Sequence, residues 1–215
     1  MGDRTQVICV RGSVRGNYFE GSVESLTPML IEQDRQTLLR IARNAIAGEL
    51  GLAHERIHAP ARENLTAPSG AFVTLHYNGQ LRGCIGSIES PEPLWEVVRS
   101  SAVKAAFHDP RFHPLSRNEF HGTVIEISVL TAPVLVSDLE SIEVGRDGLI
   151  VELGFARGLL LPQVAVEQGW DRLRFLENAC AKAGLPRDTW MDPASRVFAF
   201  QAEVFSENTT ANALP

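Results

Sequence analysis

Asn78-Gly79 lies between two runs that read as the strands of one hairpin. Ala71-Phe72-Val73-Thr74-Leu75-His76-Tyr77 precedes it, rich in β-branched and aromatic residues, and Gln80-Leu81-Arg82-Gly83-Cys84-Ile85-Gly86-Ser87-Ile88 follows. Asn-Gly accepts the two positive-φ positions of a two-residue type I′ turn, so it sets the register as well as the reversal. Counting outward from the turn pairs Tyr77 with Gln80 and His76 with Leu81, and places Cys84 opposite Val73. The return strand is loosened by Gly83 and Gly86, which permit close approach of backbone or ligand.

Around this hairpin the chain alternates helical and extended patterns. Leu38, Leu39, Ala42, Ala45, Ile46 and Leu50 recur at helical spacing from about Ile31 and stop at Gly51. Residues 53–68 read as a loop carrying His54 and His58. A helix is predicted from about Pro93 to His108, an irregular segment over Asp109–Pro114, and a strand over Thr123–Leu130. Ser137–Glu140 is a short helix or turn, and Asp147-Gly148 is a second hairpin signal. Strands over 148–153 and 157–161, helices over 162–169 and 171–183, and a last strand over 195–205 complete the pattern. The helix over 171–183 sets Leu173, Leu176, Ala179 and Cys180 on one face. Hairpins outnumber βαβ units, which predicts an α+β fold with largely antiparallel sheets and flanking helices. Residues 1–28 read as a tail, with Gln6–Val10 as an alternative edge strand; 29–206 read as the folded domain and 207–215 as a second tail.

The chain is 44% apolar, enough for a core without disulfides. Its three cysteines, Cys9, Cys84 and Cys180, are widely spaced and form no CxxC pair, which argues against a structural zinc site and predicts a reducing, cytoplasmic setting. The formal net charge of −6 disfavours nucleic acid as a partner. No window supplies the roughly 18 apolar residues of a membrane helix, and the start lacks a signal-peptide core.

Cys84 is the leading chemical candidate. It follows Arg82 by two residues, and a neighbouring guanidinium raises the thiolate fraction. The opposing reading is an inert, buried strand cysteine. A thiol catalyst also needs a base, and no histidine is placed by the hairpin register: His76 falls about three residues away along the ladder, and His108 and His113 lie in the irregular segment. His108-Asp109-Pro110-Arg111-Phe112-His113 contains metal-ligand types without a recurring ligand spacing, so no metal is assigned, and Asp109 and Arg111 also fit a capped turn with an ion pair. His54 and His58 read as surface loop residues, and no cofactor-binding motif is found.

The stretches Ala71–Leu75 and Gly79–Gly86 resemble the signature of the AMMECR domain. Similar companions follow in order: Ala105-Ala106-Phe107, Asp109-Pro110-Arg111-Phe112, Glu126–Leu130, Val144–Leu149, Leu160–Ala165, Phe175-Leu176, Lys182–Leu185 and Trp190. The resemblance covers about residues 30–206 and is nearest to the prokaryotic branch termed AmmeMemoRadiSam system protein A. It implies an α+β fold in two unequal lobes, an activity not established, and Memo-like and radical-SAM proteins as partners. It also carries candidate roles: Cys84 and Arg82 as catalytic residues, and Gly83, Gly86, Asp109 and Arg111 as substrate-binding residues. Two functions stay open: a cysteine-centred enzyme or enzyme component acting on a small substrate, and a non-catalytic binding or scaffold module.

Overall fold

The computed structural model describes residues 30–207. The tail assigned to residues 1–28, the alternative strand at Gln6–Val10, Cys9 and the tail beyond Glu207 lie outside the described residues. The described chain forms two compact units, a larger one of residues 30–130 with 203–207 and a smaller one of residues 131–202. Both are α+β with antiparallel strands, as the alternation of periods predicts.

In the larger unit the order is α1 (Glu32–Glu49), α2 (Glu63–Thr66), β1 (Ala71–Tyr77), β2 (Gln80–Ser87), α3 (Leu94–Phe107), α4 (Arg117–His121) and β3 (Thr123–Leu130). β1 is the middle strand, antiparallel to β2 on one side and β3 on the other. Val73, Leu75, Ile125 and Ile127 are fully buried beneath Leu38, Ile46, Val98 and Ala102 of α1 and α3. Burying each large aliphatic side chain contributes about 1.5–3 kcal/mol before conformational entropy is charged against it. α1 ends as its sequence predicts: Gly51 takes φ 63° and the Leu52 N–H closes on the Ala47 carbonyl at 2.9 Å. The helical turn α2 and the helix α4 have no counterpart in the sequence reading, because each is a single turn or little more and shows no apolar period.

The smaller unit contains β4 (Val134–Leu135), β5 (Asp147–Leu153), β6 (Ala156–Leu160), α5 (Pro162–Glu167), α6 (Arg172–Lys182) and most of β7 (Arg196–Ser206). β5 pairs with β6 and β7, and β4 pairs with β7. Two expectations are corrected here. Asp147-Gly148 does not turn a hairpin; it begins β5. The reversal lies just before it, at Gly145 with φ 94°, because the buried Asp147 carboxylate accepts the Glu143 N–H at 2.9 Å and the Arg146 guanidinium at 2.7 Å. In α6, Leu173 is half exposed and Phe175 is buried with Leu176, Ala179 and Cys180. The buried stripe is rotated toward the Phe175–Ala179 spacing, which leaves Leu173 in the first turn facing water. No helix among the described residues is long and apolar enough to cross a membrane.

Candidate functional site

The hairpin register differs from a straight count at one place, and the difference sets the chemistry around Cys84. Asn78 and Gly79 take φ 51° and 72°, and Tyr77–Gln80 and His76–Leu81 pair as the turn requires. The ladder then slips between His76 and Leu75, which pairs with Gly83, so that Arg82 is the extra residue of a β-bulge. Cys84 therefore lies opposite Thr74 rather than Val73. A one-residue slip moves a side chain to the other face of the sheet. Cys84 thus leaves the face that α3 covers and joins Thr74, which in turn pairs with Glu126 on β3.

The glycines of the hexapeptide Leu81–Gly86 are filled by close neighbours. A Cβ on Gly83 would stand 2.2 Å from the Ala105 carbonyl oxygen of α3, and one on Gly86 would stand 2.2 Å from the Ala71 carbonyl oxygen and 2.5 Å from the Phe72 ring. The first lets α3 lie directly on β2. The second lets the Phe72 ring cross the strand.

β2 pairs with β1 alone, so its other edge carries unpaired backbone groups. At Cys84 those groups are taken by side chains. The Cys84 N–H donates to Asp109 Oδ2 at 2.9 Å, and Arg111 Nη2 donates to the Cys84 carbonyl at 3.4 Å. The two side chains are joined in a forked ion pair: Arg111 Nη2 to Asp109 Oδ2 at 2.6 Å and Nε to Oδ1 at 2.9 Å, with the Arg111 N–H on Oδ1 at 3.1 Å. Pro110 between them keeps the segment out of helix and brings both to one spot. Burial disfavours an ionised Asp109, yet these donors prevail and hold its carboxyl below the ordinary value. Asp109 and Arg111 act here as a substitute strand, satisfying one edge residue.

Arg82 is committed elsewhere. Its Nε donates to Glu119 Oε1 at 2.9 Å and its Nη2 to the His113 carbonyl at 2.9 Å. Glu119 also receives the Ser116 N–H at 2.9 Å in a capping box that starts α4. The Arg82 guanidinium, followed by these Ser116 contacts, holds the Glu119 carboxyl down at about 2. Phe112 lies between the two cations, its ring centroid 5.8 Å from Arg82 Cζ and 5.4 Å from Arg111 Cζ.

The thiol itself is 4% exposed and accepts from Thr74 Oγ1 at 3.2 Å. Burial pushes it above the ordinary cysteine value. The Thr74 hydroxyl and the Arg111 charge pull it down and lose, while Asp109 and Glu126 add to the rise. The cation that acts on the thiol is thus Arg111, not Arg82. No histidine among the described residues hydrogen-bonds to the sulfur. His76 pairs instead with Glu126, at 3.9 Å, and His113 offers its backbone carbonyl to Arg82. Among the described residues no three His, Cys, Asp or Glu side chains gather as a metal site.

All six residues singled out from sequence are in the larger unit. Cys84, Asp109 and Arg111 meet directly, and Arg82 joins them across Phe112. Sequence reasoning missed Thr74, Glu119 and Glu126. The Ser116-x-x-Glu119 spacing was the available signal for Glu119; Thr74 and Glu126 depend on the bulge, which no local signal announces.

A family model described as AMMECR1 matches residues 39–205, which includes every residue of the hexapeptide network. A protein of Methanothermobacter thermautotrophicus is 46% identical over 187 residues, covering 83% of this chain and 97% of that protein. A protein of Aquifex aeolicus is 41% identical over 181 residues, covering 81% and 93%. The crystal structure of an uncharacterized protein from Pyrococcus horikoshii superposes with a TM-score of 0.72 at 44% identity, covering 80% of this chain and 90% of that one.

Proposed function

The chain belongs to the AMMECR1 family, and from that premise we propose that it works as a binding component rather than as a thiol enzyme. In this reading the Leu81–Gly86 strand is a fixed recognition platform. The observation that carries it is the state of Cys84: a buried sulfur, its thiol pushed up by burial, on a backbone whose free-edge N–H and carbonyl are held by Asp109 and Arg111. A nucleophilic cysteine needs the opposite, an accessible thiolate beside a base. Rigid first contacts on regular structure suit recognition, because little entropy is lost on binding. The proposed partners are a Memo-like protein and a radical-SAM protein, with a small ligand beside the strand as a further occupant.

The second reading keeps Cys84 as the centre of a small-substrate reaction. It is favoured by Arg111, whose charge acts on the thiol, and by the His76–Glu126 pair on the neighbouring strands. Arg82, Gly83, Gly86 and Asp109 then shape the substrate site.

Titrating the full chain with a purified Memo-like protein separates the two. The binding reading expects Cys84→Ala to bind within about threefold of the parent, and Asp109→Asn to bind at least tenfold more weakly, which is about 1.4 kcal/mol. Loss of binding in a folded Cys84→Ala protein would return the thiol to the centre. No binding by the parent chain would remove the partner assignment.

A further inference from the structure

A cavity of about 560 Å³ lies away from the hexapeptide, between the C-terminal halves of α1 and α3 and beneath the irregular strap that follows α1. Its walls carry Arg56 from the strap and Arg99 and Lys104 from α3, against one carboxylate, Glu49. On a chain with a formal net charge of −6, this local excess of cations is the opposite of the surface average. Arg56 and Lys104 make no ion pair or side-chain hydrogen bond among the described residues. Arg99 is held by Glu96 through Nε and Nη2, which fixes its guanidinium and leaves Nη1 unengaged by that pair. The carboxyl ends of both helices border the cavity and oppose an anion with about half a charge each, and Glu96 takes up the Arg99 charge, so the attraction for an anion rests on Arg56 and Lys104.

The recess is ordered around a histidine read from sequence as an ordinary loop residue. His54 is tied by its Nδ1 to the Leu52 carbonyl at 2.9 Å. Its ring lies against Gly48, where a Cβ would stand 3.3 Å from Nε2. The strap is thereby anchored to α1, and Asn44 fastens it again by accepting the Glu55 N–H at 3.3 Å. Ile57 and Val103 add apolar wall. The volume is that of a small-molecule site, and the combination of apolar wall with two guanidinium groups and an ammonium suits phosphate oxygens.

We propose that the cavity bounded by Arg56, Arg99 and Lys104 is a binding site for a small soluble phosphate ester. This site is separate from the hexapeptide platform and does not rest on the reading of Cys84. The test is calorimetric titration of the full chain with ADP, with inorganic pyrophosphate and citrate as simpler probes, at low ionic strength. ADP or pyrophosphate is expected to bind one to one with Kd below about 1 mM. The double variant Arg56→Gln, Lys104→Gln should weaken that binding at least tenfold, while Arg187→Gln, a charge loss on the other unit, should leave it within twofold. Absence of saturable binding, equal weakening by Arg187→Gln, or binding of citrate without either phosphate would overturn the proposal. Association with phosphatidate vesicles without ADP binding would overturn the soluble ligand.

Discussion

At the scale of single residues, Asp109 is the position on which the account depends most. Its carboxylate is almost wholly buried, pairs with Arg111 and holds the Cys84 N–H. Replacing it by Ala removes the acceptor of the Cys84 N–H and the carboxylate that forks onto Arg111. Arg111 is 27% exposed and can turn to water, so the cost comes from the unsatisfied Cys84 N–H and the lost charge-assisted bonds, about 2–3 kcal/mol, and Asp109→Ala should lower the denaturant midpoint accordingly. Thr74→Val removes one weak hydrogen bond to sulfur and keeps the shape, and its cost should stay below about 1.5 kcal/mol. If the two variants lose equal stability in urea melts, the bracing role of Asp109 is wrong. Only the family resemblance grouped Cys84, Arg82, Asp109 and Arg111 into one candidate site. Their division of labour was not legible, because Arg82 stands two residues from Cys84 and Arg111 twenty-seven away, and only the fold decides which one faces the thiol.

At the scale of elements, the bulge at Arg82 is the decisive feature. The turn and both strands of the hairpin follow from Asn78-Gly79 and the β-rich flanks, and the observed boundaries of β1 match the sequence pattern. The slip did not follow, since it comes from packing: Gly83 must meet the Ala105 carbonyl of α3 for the helix to sit on the strand. Gly83→Ala should therefore cost about 1–3 kcal/mol through overpacking, whereas Gly79→Ala, with open space around its Cβ, should be penalised only for its positive φ. Comparable thermal shifts for the two would contradict the close approach of α3. The short elements were illegible for a related reason. α4 is five residues held by its capping box, and the turn before β5 is closed by the Asp147 side chain as well as its backbone: the carboxylate accepts the Glu143 N–H while the Asp147 N–H donates to the Glu143 carbonyl at 3.0 Å.

At the scale of the whole molecule, the sequence conveyed an antiparallel α+β chain of the AMMECR1 family, and the strand pairing, the family match and the similar crystal structure bear that out. The charge balance pointed away from nucleic acid but could not reveal a cationic recess, because Arg56 and Lys104 are far apart in sequence and line one recess only where the strap lies beside α3. Acid stability follows from the carboxylates. Glu119 falls from an ordinary 4.5 to about 2 in the fold, so its contribution is complete above about pH 4.5 and is lost as pH falls toward 2. Asp109 shifts in the same direction and adds to that loss. Glu119→Gln should flatten the acid limb of a stability-against-pH curve and leave the neutral-to-alkaline shape unchanged. The most direct test of the central claim is the pH profile of Cys84 alkylation by iodoacetamide in the folded full chain, followed by peptide mass. The expected rate at neutral pH is at least roughly tenfold below that of a free cysteine, with a midpoint above the free-thiol value; rapid modification at neutral pH with a midpoint below that value would make Cys84 a reactive thiol and overturn the binding role.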